Sequence, residues 1–412
     1  MSELTNEEKI KILSDIVAIK TVNDNEIEVA KYFQELFDKY DIDSHLDELS
    51  KTRANLIASI GSGKPVIGVS GHMDVVDEGN HNDWTHDPFT LTEDNGYLYG
   101  RGAADMKSGL AALAIALIEI KKSNSLKKGT IKFMATVGEE IEQAGSKQLY
   151  DKAYTKDLDA LLIAEPSYPS LVYAHKGSMD FRITSKGKSA HSSIPFLGKN
   201  AITPLITFID NINKEYEQLK ETTKSNSLDY SNMIEGLEDR LPDNINKEDF
   251  KDAIESLVIT NSVISGGNQV NSVPEYAIAE FNVRTIPEYN NEKVKKLFEK
   301  YLKDANKNGA DLSQEIYLDL DPVVTTGQNN LVNLGVKKAK KHFKYEKTFI
   351  TSPTVAVTDA SNLLRDKDES FPFLMFGPGE GPHQVDERVN KEIYLQFIDY
   401  YIDLLTSYTN EY

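Results

Sequence analysis

The chain has 412 residues, 40% of them hydrophobic, which is enough for a sizeable core and, at this length, for two domains. Its formal net charge of −19 argues against nucleic acid or an anionic membrane as a partner. It contains no cysteine, which excludes disulfides and thiolate metal sites.

The opening MSELTNEEKIKIL is polar and lacks the basic-then-apolar pattern of a signal peptide. The longest apolar stretch, Gly109 to Ile120, is interrupted by Glu119 and is too short to span a bilayer. A soluble, cytoplasmic protein is expected. Helical spacing of apolar residues predicts helices over Asn6 to Ile19 and Glu26 to Tyr40. Pro65 to Ser70 reads as a short buried strand with His72 and Asp74 just beyond its end. Met106 to Lys122 is a strongly apolar helix that follows Asp105. Strands over Thr130 to Thr136, Asp159 to Ala164 and Phe371 to Phe376 lead into Glu139 and Glu140, Glu165, and His383. Short apolar runs alternating with helices predict an α/β sheet, in which ligands collect beyond the carboxyl ends of strands. Each of these acids and imidazoles lies at or past such an end.

The middle of the chain has a different rhythm. Strands are predicted over Ser178 to Ser185, Leu257 to Ile264, Glu275 to Ile286 and Gln314 to Leu320. Helices fall over Ala201 to Lys220 and Glu292 to Asn306. That order, βαββαβ, predicts a small two-layer domain inserted at 178–321 into a larger one made of 1–177 and 322–412. A polar segment, Glu221 to Asp252, reads as a surface excursion.

Hard oxygen donors with two imidazoles are what a two-metal hydrolytic site needs. A single acid among 65 is ordinarily solvated surface. It is the set, together with the glycines around it, that points to a metal site. Adjacent Glu139 and Glu140 cannot both ligate one metal without strain, which leaves one of them free to handle protons.

Gly71, His72, Met73 and Asp74, with the run GRGAADMK from Gly100 to Lys107, resemble the M20 family of metallopeptidases and deacylases. Trp84, Pro88, Phe89, the Glu139–Glu140 pair, Glu165–Pro166, Gly377 to Gly379, His383 and Asp386–Glu387 fit the same pattern. The resemblance is strongest to the branch of succinyl-diaminopimelate desuccinylases and acetylornithine deacetylases. It implies an α/β fold: a mixed-sheet di-metal hydrolase domain with helices on both faces, plus an inserted ferredoxin-like domain for lid and dimer contacts. It also implies two divalent ions, zinc foremost and cobalt or manganese as alternatives. Asp105 would bridge them, with His72 and Glu165 on one and Glu140 and His383 on the other. Asp74 would accept the second ring N–H of His72, and Glu139 would be the general base.

His191 matches the inserted-domain histidine that donates to the oxyanion, from the partner subunit in dimeric members. Asn271 and Arg284 resemble the segment that grips a substrate carboxylate, and Thr358 the opposing loop. The plainer readings are a strand-edge ion pair for Arg284, a loop histidine for His191, and backbone-satisfying side chains for Asn271 and Thr358. The implied reaction is hydrolysis of the amide of an N-acyl amino acid, foremost N-succinyl-diaminopimelate, by a homodimer paired through the inserted domain. The alternatives are N-acetylornithine deacetylation, a dipeptidase or aminoacylase, and, more remotely, a binding protein that has lost catalysis.

Overall fold

A computed structural model describes residues 3–238, 245–346 and 348–411. The chain divides into two compact units. The first takes the residues up to Ala174, Thr325–Ser352 and those from Thr358 onward; the second takes His175–Val324 and Pro353–Val357.

In chain order the first unit begins with α1 (Asn6–Ala18), α2 (Glu26–Asp38), β1 (Asp43–Glu48), β2 (Ala54–Ser62), β3 (Val66–His72), β4 (Thr92–Asp94) and β5 (Tyr97–Tyr99). It continues with α3 (Lys107–Ser123), β6 (Gly129–Thr136), α4 (Ala144–Asp151), β7 (Ala160–Pro166) and β8 (Ser170–His175). The second unit carries β9 (Gly177–Lys186), α5 (Ile202–Thr222), α6 (Ser231–Glu238), α7 (Lys247–Glu255), β10 (Val258–Gly266), β11 (Tyr276–Thr285), α8 (Asn291–Lys307) and β12 (Leu312–Leu320). The chain then returns through α9 (Asn330–His342), β13 (Ile350–Thr354), α10 (Ala360–Leu363), β14 (Phe373–Gly377), β15 (Arg388–Asn390) and α11 (Lys391–Glu411).

Eight strands build one mixed sheet in the order β1-β2-β6-β3-β7-β14-β8-β13. Its centre, β6-β3-β7-β14, is parallel. Register sets His72 opposite Thr136 and Gly377 opposite Pro166, so neighbouring strands end together. The strand predicted to stop at Ser70 runs on to His72, all seven residues of β3 being buried. Burial on both faces suits a parallel central strand. The sequence reading passes over β1, whose DSHLDE is too polar to announce itself; it pairs on one side only, with β2.

Helix α3 is buried from Lys107 to Ile120, which explains its unbroken apolarity. It approaches β7 so closely that a Cβ on Gly109 would lie 2.0 Å from the carbonyl oxygen of Ala164. A Cβ on Gly377 would lie 2.1 Å from the same oxygen. Glycine at these two positions lets α3, β7 and β14 converge where Asp105 and Glu165 emerge. Lys107 is wholly buried and donates to the carbonyls of Ile16 and Ile19, each at 2.8 Å. It thereby ties the end of α1 to the start of α3, and burial lowers its pKa to about 7. A capping box starts α1: Thr5 accepts from the Glu8 amide, and Glu8 accepts from the Thr5 amide.

The second unit has an antiparallel sheet in the order β10-β11-β9-β12, with the βαββαβ succession of a ferredoxin-like domain. Its core lies between the sheet and the helices α5 and α8, where Phe181, Phe208, Phe281 and Phe298 meet ring to ring. The polar excursion is more than surface. It contains α6 and the start of α7, and it buries Leu228, Tyr230 and Ile234; residues 239–244 of it lie outside the described residues. Lys176 reaches the carbonyls just past this segment, at Ala253 (3.2 Å) and Ser256 (2.6 Å), where α7 ends. Among the described residues no helix is long and apolar enough to cross a membrane.

Candidate metal centre

Asp105 stands between the two imidazoles. Its Oδ1 is 3.1 Å from His72 Nε2 and its Oδ2 is 3.3 Å from His383 Nε2. Glu165 Oε1 lies 3.5 Å from His72 Nε2, and the Glu140 carboxylate lies 3.0 Å from His383 Nε2. The end of β3, the turn before α3, the turn after β6, the end of β7 and the loop after β14 thus deliver His72, Asp105, Glu139 with Glu140, Glu165 and His383 to one place. Two triads have donor atoms within 4.8 Å of one another: His72, Glu139 and Glu165; and His72, Asp105 and Glu140.

Burial and mutual repulsion push Glu139 and Glu165 well above the usual carboxylate range. Burial opposes a charge on His72, but Glu165, Asp105, Asp74 and Glu139 together lift it well above normal. His383 is lifted to about 10 by Asp105 and Glu140. Burial acts to raise Asp105, yet the two imidazoles hold it well below the usual range. Four carboxylates and two imidazoles converging in a partly dry pocket are the donor set that divalent cations take, and cations would relieve the repulsion that raises these acids. The residues fit two such ions.

Asp74 does something other than the expected task. His72 Nδ1 meets the backbone carbonyl of Asp74 at 3.0 Å, while the nearer carboxylate oxygen is 3.6 Å away. The carboxylate instead accepts the Glu139 and Glu140 amides, both at 3.1 Å. The correction has a simple geometric cause: the turn carrying the two glutamates offers two parallel N–H groups to a fully buried Asp74.

Several supports were not read from the sequence. One oxygen of Glu387 accepts the amides of Ala104 and Asp105 at 2.8 Å, and the other pairs with Arg101. Arg101 also reaches the carbonyls of Gln384 and Asp77 and lies over the ring of Trp84. Arg101 and Glu387 are both buried, and they tie the Asp105 turn to the His383 loop. Asp386 holds the same loop through Thr85, at 2.8 and 2.7 Å. Asp359, beside the expected Thr358, accepts from Thr136 Oγ1 at 2.6 Å; burial pushes its carboxyl up to about 6. Gln143 Nε2 donates to Glu139 Oε1 at 2.8 Å. The sequence signal for Arg101 and Glu387 is their place in the run GRGAADMK and in Asp386–Glu387. For Gln143 it was only a polar residue four positions after Glu139.

Thr358 is buried and its Oγ1 accepts from the Ala360 amide at 3.2 Å, in the turn that leads into α10. The other expected residues belong to the second unit. His191 is exposed, with Nδ1 2.7 Å from Ser193 Oγ, and its neighbour Ser192 donates to the Asn271 carbonyl at 3.0 Å. Arg284 lies at the other end of β11, paired in register with Ser178 and Val258. His175 is fully buried, its pKa lowered to about 4 by that burial, and it stays neutral.

Residues 68–407 match the model of peptidase family M20/M25/M40. A protein of Staphylococcus epidermidis (strain ATCC 12228) named probable succinyl-diaminopimelate desuccinylase is 45% identical over 410 residues, covering 99% of each chain. A protein of the same name from Staphylococcus aureus (strain N315) is 43% identical over the full length of both. Among solved structures, an M20 family metallo-carboxypeptidase from Sulfolobus solfataricus superposes with a TM-score of 0.79. It has 21% identity and covers 98% of this chain and 99% of that one, and so speaks to the fold. Motif, fold and full-length relatives agree that the chain belongs to peptidase family M20/M25/M40.

Proposed function

We propose that this protein is a metal-dependent amidohydrolase that removes the succinyl group from N-succinyl-diaminopimelate, a step of diaminopimelate and lysine biosynthesis, in the cytoplasm. The observation that carries the reading is Asp105 set between His72 and His383, with Glu165 and Glu140 completing each side. The full-length relatives bearing the desuccinylase name supply the substrate.

His72, Asp105 and Glu165 would hold one divalent ion, and His383, Asp105 and Glu140 the other. Zinc is favoured because each side offers an imidazole, with cobalt or manganese as substitutes. Bound there, the ions would polarise the amide carbonyl and acidify a water. Glu139 would take a proton from the attacking water on its carboxylate and return it to the departing amine nitrogen. Asp74 holds the Glu139 turn by its amides, and the Asp74 carbonyl fixes the ring of His72. Arg284, through its guanidinium fork, suits a substrate carboxylate, with Asn271 and Thr358 as further contacts. His191 suits donation to the oxyanion.

The first unit is read as the catalytic domain and the inserted unit as lid and dimerisation domain. Two features support a homodimer. His191 and Arg284 lie toward opposite ends of β11, whose ten residues span on the order of 30 Å, too far apart for one molecule of substrate. The edge strand β10 exposes Val263 and Ile264, and Val270 and Ile206 are exposed on the same unit. A second copy of this sheet edge is the proposed occupant.

The test is kcat/KM on metal-stripped protein reloaded with zinc. The panel is N-succinyl-LL-diaminopimelate, N-acetylornithine, an N-acetylated neutral amino acid and a dipeptide. A preference for the succinylated compound, abolished by chelation, is expected. A preference for any other member would move the protein to another activity of the same family.

A further inference from the structure

Glu139 falls within one of the two cation-sized triads, so distance alone does not separate it from the ligating acids. What separates it is Gln143. Gln143 is 2% exposed and donates to Oε1 of Glu139, which is itself partly buried. Its surroundings decide which end of the amide faces the carboxylate. Asn362 Nδ2 lies 3.5 Å from both Gln143 Oε1 and the Gln143 carbonyl, so an oxygen belongs on that side. A flipped amide would set oxygen against carboxylate and donor against donor.

Asn362 is itself oriented. Its Oδ1 accepts from Arg365 Nη2 at 2.9 Å, and its Nδ2 donates to Ser146 Oγ at 3.1 Å. The donors therefore run one way, from Arg365 through Asn362 and Gln143 to Glu139. The backbone at Gln143 is equally particular. Its φ is +53°, in the left-handed region that glycine ordinarily fills, and its N–H closes the turn onto the Gly138 carbonyl at 2.6 Å. A turn that only had to form would be served by glycine. Here the side chain reaches back four residues to the acid.

We propose that Gln143 is the positioning residue for Glu139. By holding Oε1 it turns Oε2 toward the reacting water, as the oxygen that takes the proton and later passes it to the amine. This rests on the reading of Glu139 as the general base. Gln143→Gly keeps the left-handed turn and removes the amide; Gln143→Leu keeps most of the volume and removes the donor.

Both variants, loaded with zinc, are compared with the parent and with Glu139→Ala for kcat, KM, bound metal per chain and melting temperature. Expected in at least one correctly folded Gln143 variant is a kcat about 10- to 100-fold lower, with KM and bound metal unchanged. Two results would overturn the proposal: parental kcat in both variants while Glu139→Ala is inactive, or a loss of kcat that only tracks a loss of bound metal. Activity surviving in Glu139→Ala would instead remove the base assignment itself.

Discussion

The acid cluster of the first unit and the His191 loop of the second are built on opposite plans. Four members of the cluster are gripped from behind. Asp105 hangs from Glu387 by its amide, Glu139 and Glu140 hang from Asp74, and His72 is fixed by a carbonyl. His191 is exposed, with its ring held by Ser193, and Asn271 beside it is exposed too. Groups that must hold concentrated charge at fixed angles are embedded in rigid strand ends. Groups read here as recognition elements stay open, to be completed by what they bind. The contrast predicts that damage to the first plan destroys the centre, while damage to the second leaves metal and fold intact.

The largest effect is expected at the base. Glu139→Ala should lower kcat/KM by roughly 10²- to 10⁴-fold with little change in melting temperature, measured on zinc-loaded protein. His191→Ala should lower kcat by on the order of 10²- to 10³-fold while two metals stay bound, which sharpens the comparison by separating chemistry from metal. Glu387→Ala strands the buried Arg101 guanidinium and frees the Asp105 turn. A loss of about 3–5 kcal/mol in unfolding free energy is expected from denaturant titration, with weaker zinc binding by competition against a chromophoric chelator.

The smallest effect concerns pH and lies far from the centre. Asp403 on α11 takes Lys338, Lys341 and His342 of α9 at 2.6 to 2.9 Å. Partial burial works to raise it, but hydrogen bonds from Lys338, Lys341 and His342, with the charge of Lys338, hold its carboxyl well below the usual range. A depressed acid contributes stability that is present above the unfolded carboxylate value and is lost as pH falls through the folded one. Asp403→Asn should therefore cost roughly 1 kcal/mol at pH 7 and progressively less below about pH 4. Two lysines of α9, Lys338 and Lys341, thus act as a clamp on α11.

What the sequence discloses and what it hides divide along the same physical line. The strands that lead to His72, to Glu139 by way of Thr136, and to Glu165 announce themselves because apolar runs give way to charged residues. The inserted βαββαβ unit is legible by periodicity, to within a few residues at most element ends. Supports are hidden because they are tertiary. Glu387 meets the Asp105 amide across 282 positions, and Thr136 meets Asp359 across 223. For Asp74, spacing shows that it lies near His72 but not which donors point at its carboxylate. Gln143 is close in sequence to Glu139 and was still missed, since only its left-handed backbone turns its side chain back.

The account stands on Asp105 joining two cations, and the most direct test counts them. Elemental analysis of zinc-loaded, gel-filtered protein should give two metal ions per chain, with Asp105→Ala losing both or retaining one weakly. A single ion in the parent, or two held undiminished by Asp105→Ala, would contradict it.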